Sequence, residues 1–125
     1  MLPERNKALV TEFYEIASDR RNVEAVDKYL GAYRQHNPTI EDGVEGLKKY
    51  LHWIQSNFPE SRSTILRVIG ESDTVVLHVH RVRTPGTRGD AIVDLFRVEN
   101  GKIVEHWDVI QPIPEYTANG HTMFY

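Results

Sequence analysis

An α+β fold, with helices first and an antiparallel meander after them, is the class this sequence predicts. Three observations lead there. Apolar residues recur at helical spacing as far as Phe58. Past Pro59 the period drops to two. The strand-like runs are then separated by short turn-forming clusters and not by further helices. Helices that precede a sheet must bury their stripes on one of its faces. A sheet curved around them leaves a concave, mostly apolar pocket, where small ligands bind.

Each element has its own signal. Leu9, Val10, Phe13, Tyr14, Ile16 and Ala17 mark the first helix, and Pro3 suits its first turn. Asn22 caps a short second helix carrying Val23, Val26, Tyr29 and Leu30, with Gly31 as its stop. An extended piece follows from Tyr33 to Asn37 and ends at Pro38. Asp42, with Glu45 three residues on, has the form of a capping box. It opens a third helix with the stripe Val44, Leu47, Leu51, Ile54 and Phe58. Ile65 to Ile69, Val75 to Arg83, Ala91 to Val98 and Ile103 to Ile110 read as four strands. The turns between them are Gly70 to Asp73, Pro85 to Gly89 and Asn100-Gly101. Residues 112–125, with two prolines and aromatic ends, read as an irregular tail, expected to close over the pocket or cross to a partner.

Composition narrows the class. A chain of 125 residues reads as one domain spanning 1–125, long enough to bury a core. Its formal net charge of -3 and scattered basic residues argue against nucleic acid as a partner. The absence of cysteine excludes disulfides, thiolate metal sites and a cysteine nucleophile. No apolar stretch is long enough to span a bilayer, and the opening residues lack the apolar core of a signal peptide, so the expectation is a cytoplasmic protein with no membrane partner. Apolar and aromatic residues on the meander predict a homodimer.

The hairpin Val93 to Asp108 carries the chemistry. It places Asp94, His106 and Asp108 among Val, Ile, Leu and Phe, and aspartates are disfavoured in such strands. Its register is open. A two-residue I′ turn at Asn100-Gly101 would set Asp94 opposite Trp107. A bulge at Gly101 would set it opposite His106, with Asp108 one step along and Ile92, Phe96, Val104 and Ile110 on the same face. The second register is the one favoured.

These residues also carry a resemblance. The stretch from Asp94 to Asp108 resembles the signature of the SnoaL-like polyketide cyclases, a branch of the NTF2-like superfamily. Tyr33-x-Gln35-His36-Asn37-Pro38, Gly43-Val44-Glu45-Gly46 and Gln111-Pro112-Ile113-Pro114-Glu115 are similar to the same branch. The resemblance implies a cone: a curved, mixed sheet wrapped by three helices around a pocket, commonly dimeric through the outer sheet face. It also implies aldol-type ring closure without metal or cofactor, with an aspartate as acid/base and a histidine nearby. Family members differ widely in activity, so fold follows more firmly than reaction. Ketosteroid isomerase is a more distant likeness. Its oxyanion-hole aspartate is matched by Asp94 and its oxyanion tyrosine by Tyr14. Its catalytic base falls at Asn37, an amide, which argues against isomerase chemistry by that route.

The expected catalytic residues are therefore Asp94, His106 and Asp108. Two carboxylates near one histidine titrate together and can hold a proton near neutral pH. Tyr14, His36, Asn37, His80, Phe96 and Ile110 are the expected substrate-binding residues. His78-x-His80, with His36 or His106, raises a metal site, but Thr84 and Pro85 stand where a further glutamate ligand would be needed, and no metal or cofactor is expected. The functional expectation is acid/base chemistry, cyclase or isomerase in type, on a small carbonyl-containing or polyketide-like substrate. The alternative is a non-catalytic small-molecule-binding module.

Overall fold

The computed structural model describes residues 2–19 and 22–125. Helix α1 spans Leu2–Ser18, a 3₁₀ helix Val23–Lys28, and helix α2 Gly43–Asn57. The strands are β1 (Leu30–Gln35), β2 (Arg62–Glu71), β3 (Thr74–Val82), β4 (Asp90–Glu99) and β5 (Lys102–Pro112). They form one sheet in the order β1-β5-β4-β3-β2, with β1 parallel to β5 and every other pair antiparallel. The class is α+β, as the sequence predicts.

Burial follows the two periods. On β3, Val75, Leu77 and Val79 are fully buried on the inner face. On α1, Val10, Phe13 and Ala17 face the sheet, and Phe13 meets Phe96 edge-on with centroids 5.9 Å apart. Leu47 and Leu51 of α2 close the other flank. Ladder irregularities lie on β2 between Ile65 and Arg67 and on β5 at Val104, features of the kind that bend a strand.

Local signals differ from the expectation in three places. Asn22 caps as expected, its side chain accepting from the Ala25 N–H, but the helix it opens is 3₁₀ and ends at Lys28. Gly31 does not stop that helix. It lies in β1, where an added Cβ would come within 3.0 Å of Val104 Cγ1 and 3.2 Å of Lys102 Cβ, so its small size serves strand packing. Asp42 sits at the N-cap of α2 without capping it through Glu45's box. Its carboxylate accepts the Gln35 N–H at 2.7 Å, tying the start of α2 to the end of β1.

The hairpin register matches neither option weighed from sequence. Asn100 (φ 51°) and Gly101 (φ 74°) are both left-handed, the signature of a two-residue I′ turn, and Glu99 pairs with Lys102. Val98 pairs with Ile103, but Arg97 pairs with Glu105, leaving Val104 as an extra residue on β5. Beyond it, Phe96 faces His106 and Asp94 faces Asp108. The expected pairing of Asp94 with His106 is thus corrected by two residues, to Asp108. The bulge is at Val104 and not at Gly101. An unbulged I′ ladder would have turned Trp107 toward Asp94's face; the extra residue turns His106 and Asp108 there instead.

The tail runs over the outer face of the sheet and away from the pocket. Phe124 is 7% exposed and stacks on His80 at 4.5 Å. Among the described residues no helix is long and apolar enough to cross a membrane.

Candidate active site

The pocket lies between the inner face of the sheet and the two α-helices, a cavity of about 100 Å³. Asp94 and Phe96 (β4), His106 and Asp108 (β5), Gln35 and Tyr33 (β1) and Tyr14 (α1) all line it. These residues share one sheet face because β1 and β5 run parallel with Gln35 beside His106. That volume is well below the few hundred Å³ of a typical drug-sized site. It suits a small molecule, or the reacting end of a larger one.

Asp94 is 4% exposed and its Oδ1 lies 2.8 Å from His106 Nε2. On the far side of the ring, His106 Nδ1 is 2.7 Å from Gln35 Oε1. The Gln35 amide is oriented unambiguously. Its Oε1 accepts the backbone N–H of Asn37 at 3.0 Å, and its Nε2 donates to the Tyr33 hydroxyl at 2.9 Å. An oxygen facing Nδ1 requires Nδ1 to carry a proton. His106 Nε2 is then the proton-exchanging nitrogen, and the short contact to Asp94 needs one proton between the two. Either Asp94 is a carboxylic acid donating to a neutral imidazole, or it is a carboxylate accepting from an imidazolium.

Two effects oppose each other on Asp94. Burial drives its pKa up from the ordinary 3.8, and the charge of Asp108 adds to the rise. The hydrogen bond and charge of His106 hold it down, and the net direction is upward. Its second oxygen, Oδ2, is buried and has no hydrogen-bond partner among the described residues. A buried acceptor left open at a pocket wall costs stability and is a place for a ligand's proton.

Asp108 is held differently. Asn37 Nδ2 donates to both of its oxygens, at 2.9 and 2.8 Å. Asn37 is itself fixed, because its Oδ1 accepts from both the backbone N–H and the hydroxyl of Thr39. Asp108 Oδ2 lies 3.9 Å from His106 Nε2, within range to stabilise an imidazolium. The phenols of Tyr14 and Tyr33 are pushed well above their ordinary value, first by burial and also by the charge of Asp94, so both remain neutral donors.

Donor atoms of Asp94, His106 and Asp108 fall within 4.8 Å of one another, a composition that can bind a divalent ion. A metal here would have to displace the Asp94–His106 proton and compete with the Asn37 clamp on Asp108. The His78-x-His80 pair, by contrast, faces the outer side of the sheet against Phe124.

Three expected binding residues lie elsewhere. His36 points away from the pocket, bonding Glu105 Oε2 at 2.7 Å and stacking on Trp107 at 4.9 Å, because strand neighbours alternate and Gln35 takes the inner position. His80 is on the outer face because Val79 and Arg81 are inside; its Nε2 donates to the Arg88 carbonyl at 2.8 Å. Ile110, opposite Ile92, is 36% exposed and lies beyond the cavity lining. Tyr14 and Phe96 do line the cavity, and Asn37 is buried behind Asp108. Gln35 and Arg81 line the cavity too, although neither was among the expected site residues. Period two alone marks both: Gln35 shares a face with Tyr33 and Asn37, and Arg81 continues Val75, Leu77 and Val79.

Comparison with known proteins agrees with this architecture. The model of the SnoaL-like domain family matches residues 10–106. No curated protein sequence matches the chain. Among solved structures, TsrD from Streptomyces laurentii superposes with a TM-score of 0.73 at 21% identity, covering 88% of this chain and 91% of its own. A candidate polyketide cyclase from Acidithiobacillus ferrooxidans gives 0.72 at 19%, covering 88% and 90%. An NTF2-like protein of unknown function from Cytophaga hutchinsonii gives 0.71 at 19%, covering 86% and 90%. At these identities the likeness shows the fold, an NTF2-like one.

The raised Asp94 pKa has a sign that stability measurements can read. Below about pH 4 the carboxyl is protonated in both folded and unfolded chains. As pH rises from there, the unfolded chain ionises first, so the folded state loses stability until the raised folded pKa is passed. Asp94→Asn keeps a donor toward neutral His106 and cannot ionise. Its stability relative to the parent should therefore grow with pH from about 4 and then level off, by about 1.4 kcal/mol for each unit of displacement. Urea unfolding from pH 3 to 8 measures this, and a gap that shrinks with rising pH would contradict it.

Proposed function

From a chain that belongs to the SnoaL-like domain family, we propose an enzyme that moves a proton at the carbon beside a carbonyl of a small substrate. The observation that carries this reading is the open Oδ2 of Asp94, buried and raised in pKa, on a carboxylate whose other oxygen is bonded to His106. In its ionised form Asp94 takes the α-proton through Oδ2, and the electron pair moves onto the carbonyl oxygen. A neutral phenol, Tyr14 or Tyr33, donates a hydrogen bond to the resulting enolate. His106, as the imidazolium, stabilises the ionised carboxylate before transfer, and the proton stays on Asp94 Oδ2 until it is returned to the product. Asp108, clamped by Asn37, balances the imidazolium charge. Delivery of the enolate carbon to a second carbonyl gives an aldol product, and return of the proton elsewhere gives an isomer. The candidate cyclase among the structural neighbours supports the first outcome. The cavity volume favours a small carbonyl compound over a polycyclic one.

The reading includes a homodimer, supported by Val93 and Val109, which pair on the outer face at 40% and 69% exposure. Sedimentation equilibrium should return a dimer mass that Val109→Glu reduces to one chain. A single-chain mass for the parent protein would remove this part.

Proton transfer can be tested before a product is known. Small ketones and β-keto esters incubated with the protein in D₂O should gain deuterium at the α-carbon, read by NMR. Asp94→Asn should slow exchange by about 10²–10⁴-fold, the usual contribution of a positioned acid/base group. Exchange unchanged in a folded Asp94→Asn would leave a non-catalytic binding pocket as the better reading.

A further inference from the structure

At the other end of the same cavity two guanidinium groups converge on one phenol. Arg83 Nη2 donates to the Tyr50 hydroxyl at 2.6 Å, and Arg81 Nη1 approaches the same oxygen at 3.5 Å. With its lone pairs facing both arginines, the Tyr50 oxygen keeps its own proton free to donate. Arg81 is paired with Asp90 through Nε and Nη2, at 3.3 and 2.9 Å. Arg83 has no carboxylate partner among the described residues. It lies over the rings of Trp53 and Phe58, at 5.6 and 5.2 Å, and its Nε is buried with no hydrogen-bond partner among those residues. The cluster thus has one positive charge in excess, an unpartnered donor and a free phenolic proton. Each of these is a cost in the empty protein and a gain once an anion arrives.

Its position is informative too. Among the described residues, Arg81 is the sole Arg or Lys lining the inner cavity. Tyr50 lines both that cavity and an adjoining outer groove of about 450 Å³, to which Arg83 belongs. Arg81 pairs with Asp90 and Leu77 with Asp94, so the cluster's strand position is four residues from Asp94, about 13 Å along β4. Ile92 lines the wall between them.

We propose that Tyr50, Arg81 and Arg83 form an anion seat at the pocket mouth that takes the carboxylate of the substrate, with an apolar spacer over Ile92 and the reacting carbonyl at Asp94. This rests on the proposed function of that pocket and narrows its substrate to small carboxylates. One excess charge matches a carboxylate monoanion and not a phosphate dianion. The seat would also orient the substrate, because a carboxylate accepts from a guanidinium fork and a phenol in one plane.

The test uses binding alone. Straight-chain alkanoates of three to eight carbons and short ω-phenylalkanoates are titrated against their primary amides by calorimetry, with phenyl phosphate as a third arm. At least one acid should bind ten times or more tighter than its amide. Tyr50→Phe and Arg83→Gln should bring that ratio below threefold while leaving amide affinity unchanged. Asp94→Asn should leave the ratio intact, which separates failure of the seat from failure of proton transfer. No acid preferred over its amide, or a preference that survives both seat variants, would overturn the proposal. Phenyl phosphate binding tenfold tighter than every acid would overturn the carboxylate assignment.

Discussion

The site depends on one extra residue in β5. The I′ turn at Asn100-Gly101 imposes a pairing in which Asp94 would face Trp107, and Val104, squeezed between Ile103 and Glu105, shifts it by one. Because strand side chains alternate, that single shift inverts the face of everything beyond it. His106 and Asp108 turn inward to join Asp94, while Trp107 turns outward to stack on His36. The bulge lies opposite Gly31, the β1 position where a side chain would collide with Val104. Turn, bulge and glycine form one constraint, and the polar cluster is its consequence.

Once on the same face, the cluster is ordered by hydrogen bonds that leave little freedom. A backbone N–H at Asn37 fixes the Gln35 amide, Gln35 fixes the His106 tautomer, and His106 faces Asp94 through the nitrogen that exchanges a proton. Asn37 simultaneously holds Asp108 through its amide. The segment Gln35-His36-Asn37 therefore orients both partners of Asp94, although only Gln35 lines the cavity. Asn37 thus has a place in the proposed proton-transfer site without itself accepting a proton. Burial then opposes ionisation of Asp94 while His106 favours it, a balance that suits the proposed taking and return of a proton.

Much of this was legible in the sequence. The two periods gave the helices and strands, and apolar surroundings singled out Asp94, His106 and Asp108. What was not legible was register: an Asn-Gly turn signals a hairpin, but nothing in Val98 to Val104 announces a bulge three residues past the turn. Faces failed for a related reason. His78-x-His80 and Val75-x-Leu77-x-Val79 alternate on the same strand, and only the buried valines, not the conspicuous histidines, indicate which side is inside. His36 drew notice for its chemistry, whereas its neighbour Gln35 holds the inward position. Arg81 was passed over among the scattered basic residues, when alternation with Val79 places it at the pocket wall.

Asp94 and His106 hold one proton between them, with the Asp94 pKa displaced upward by burial. Carbon-13 NMR of the Asp94 carboxyl through a pH titration tests that claim most directly. A midpoint clearly above 4, accompanied by a His106 Nδ1 that stays protonated throughout, is the predicted result. A midpoint at or below 4, or a neutral His106 protonated at Nε2 instead, would contradict it.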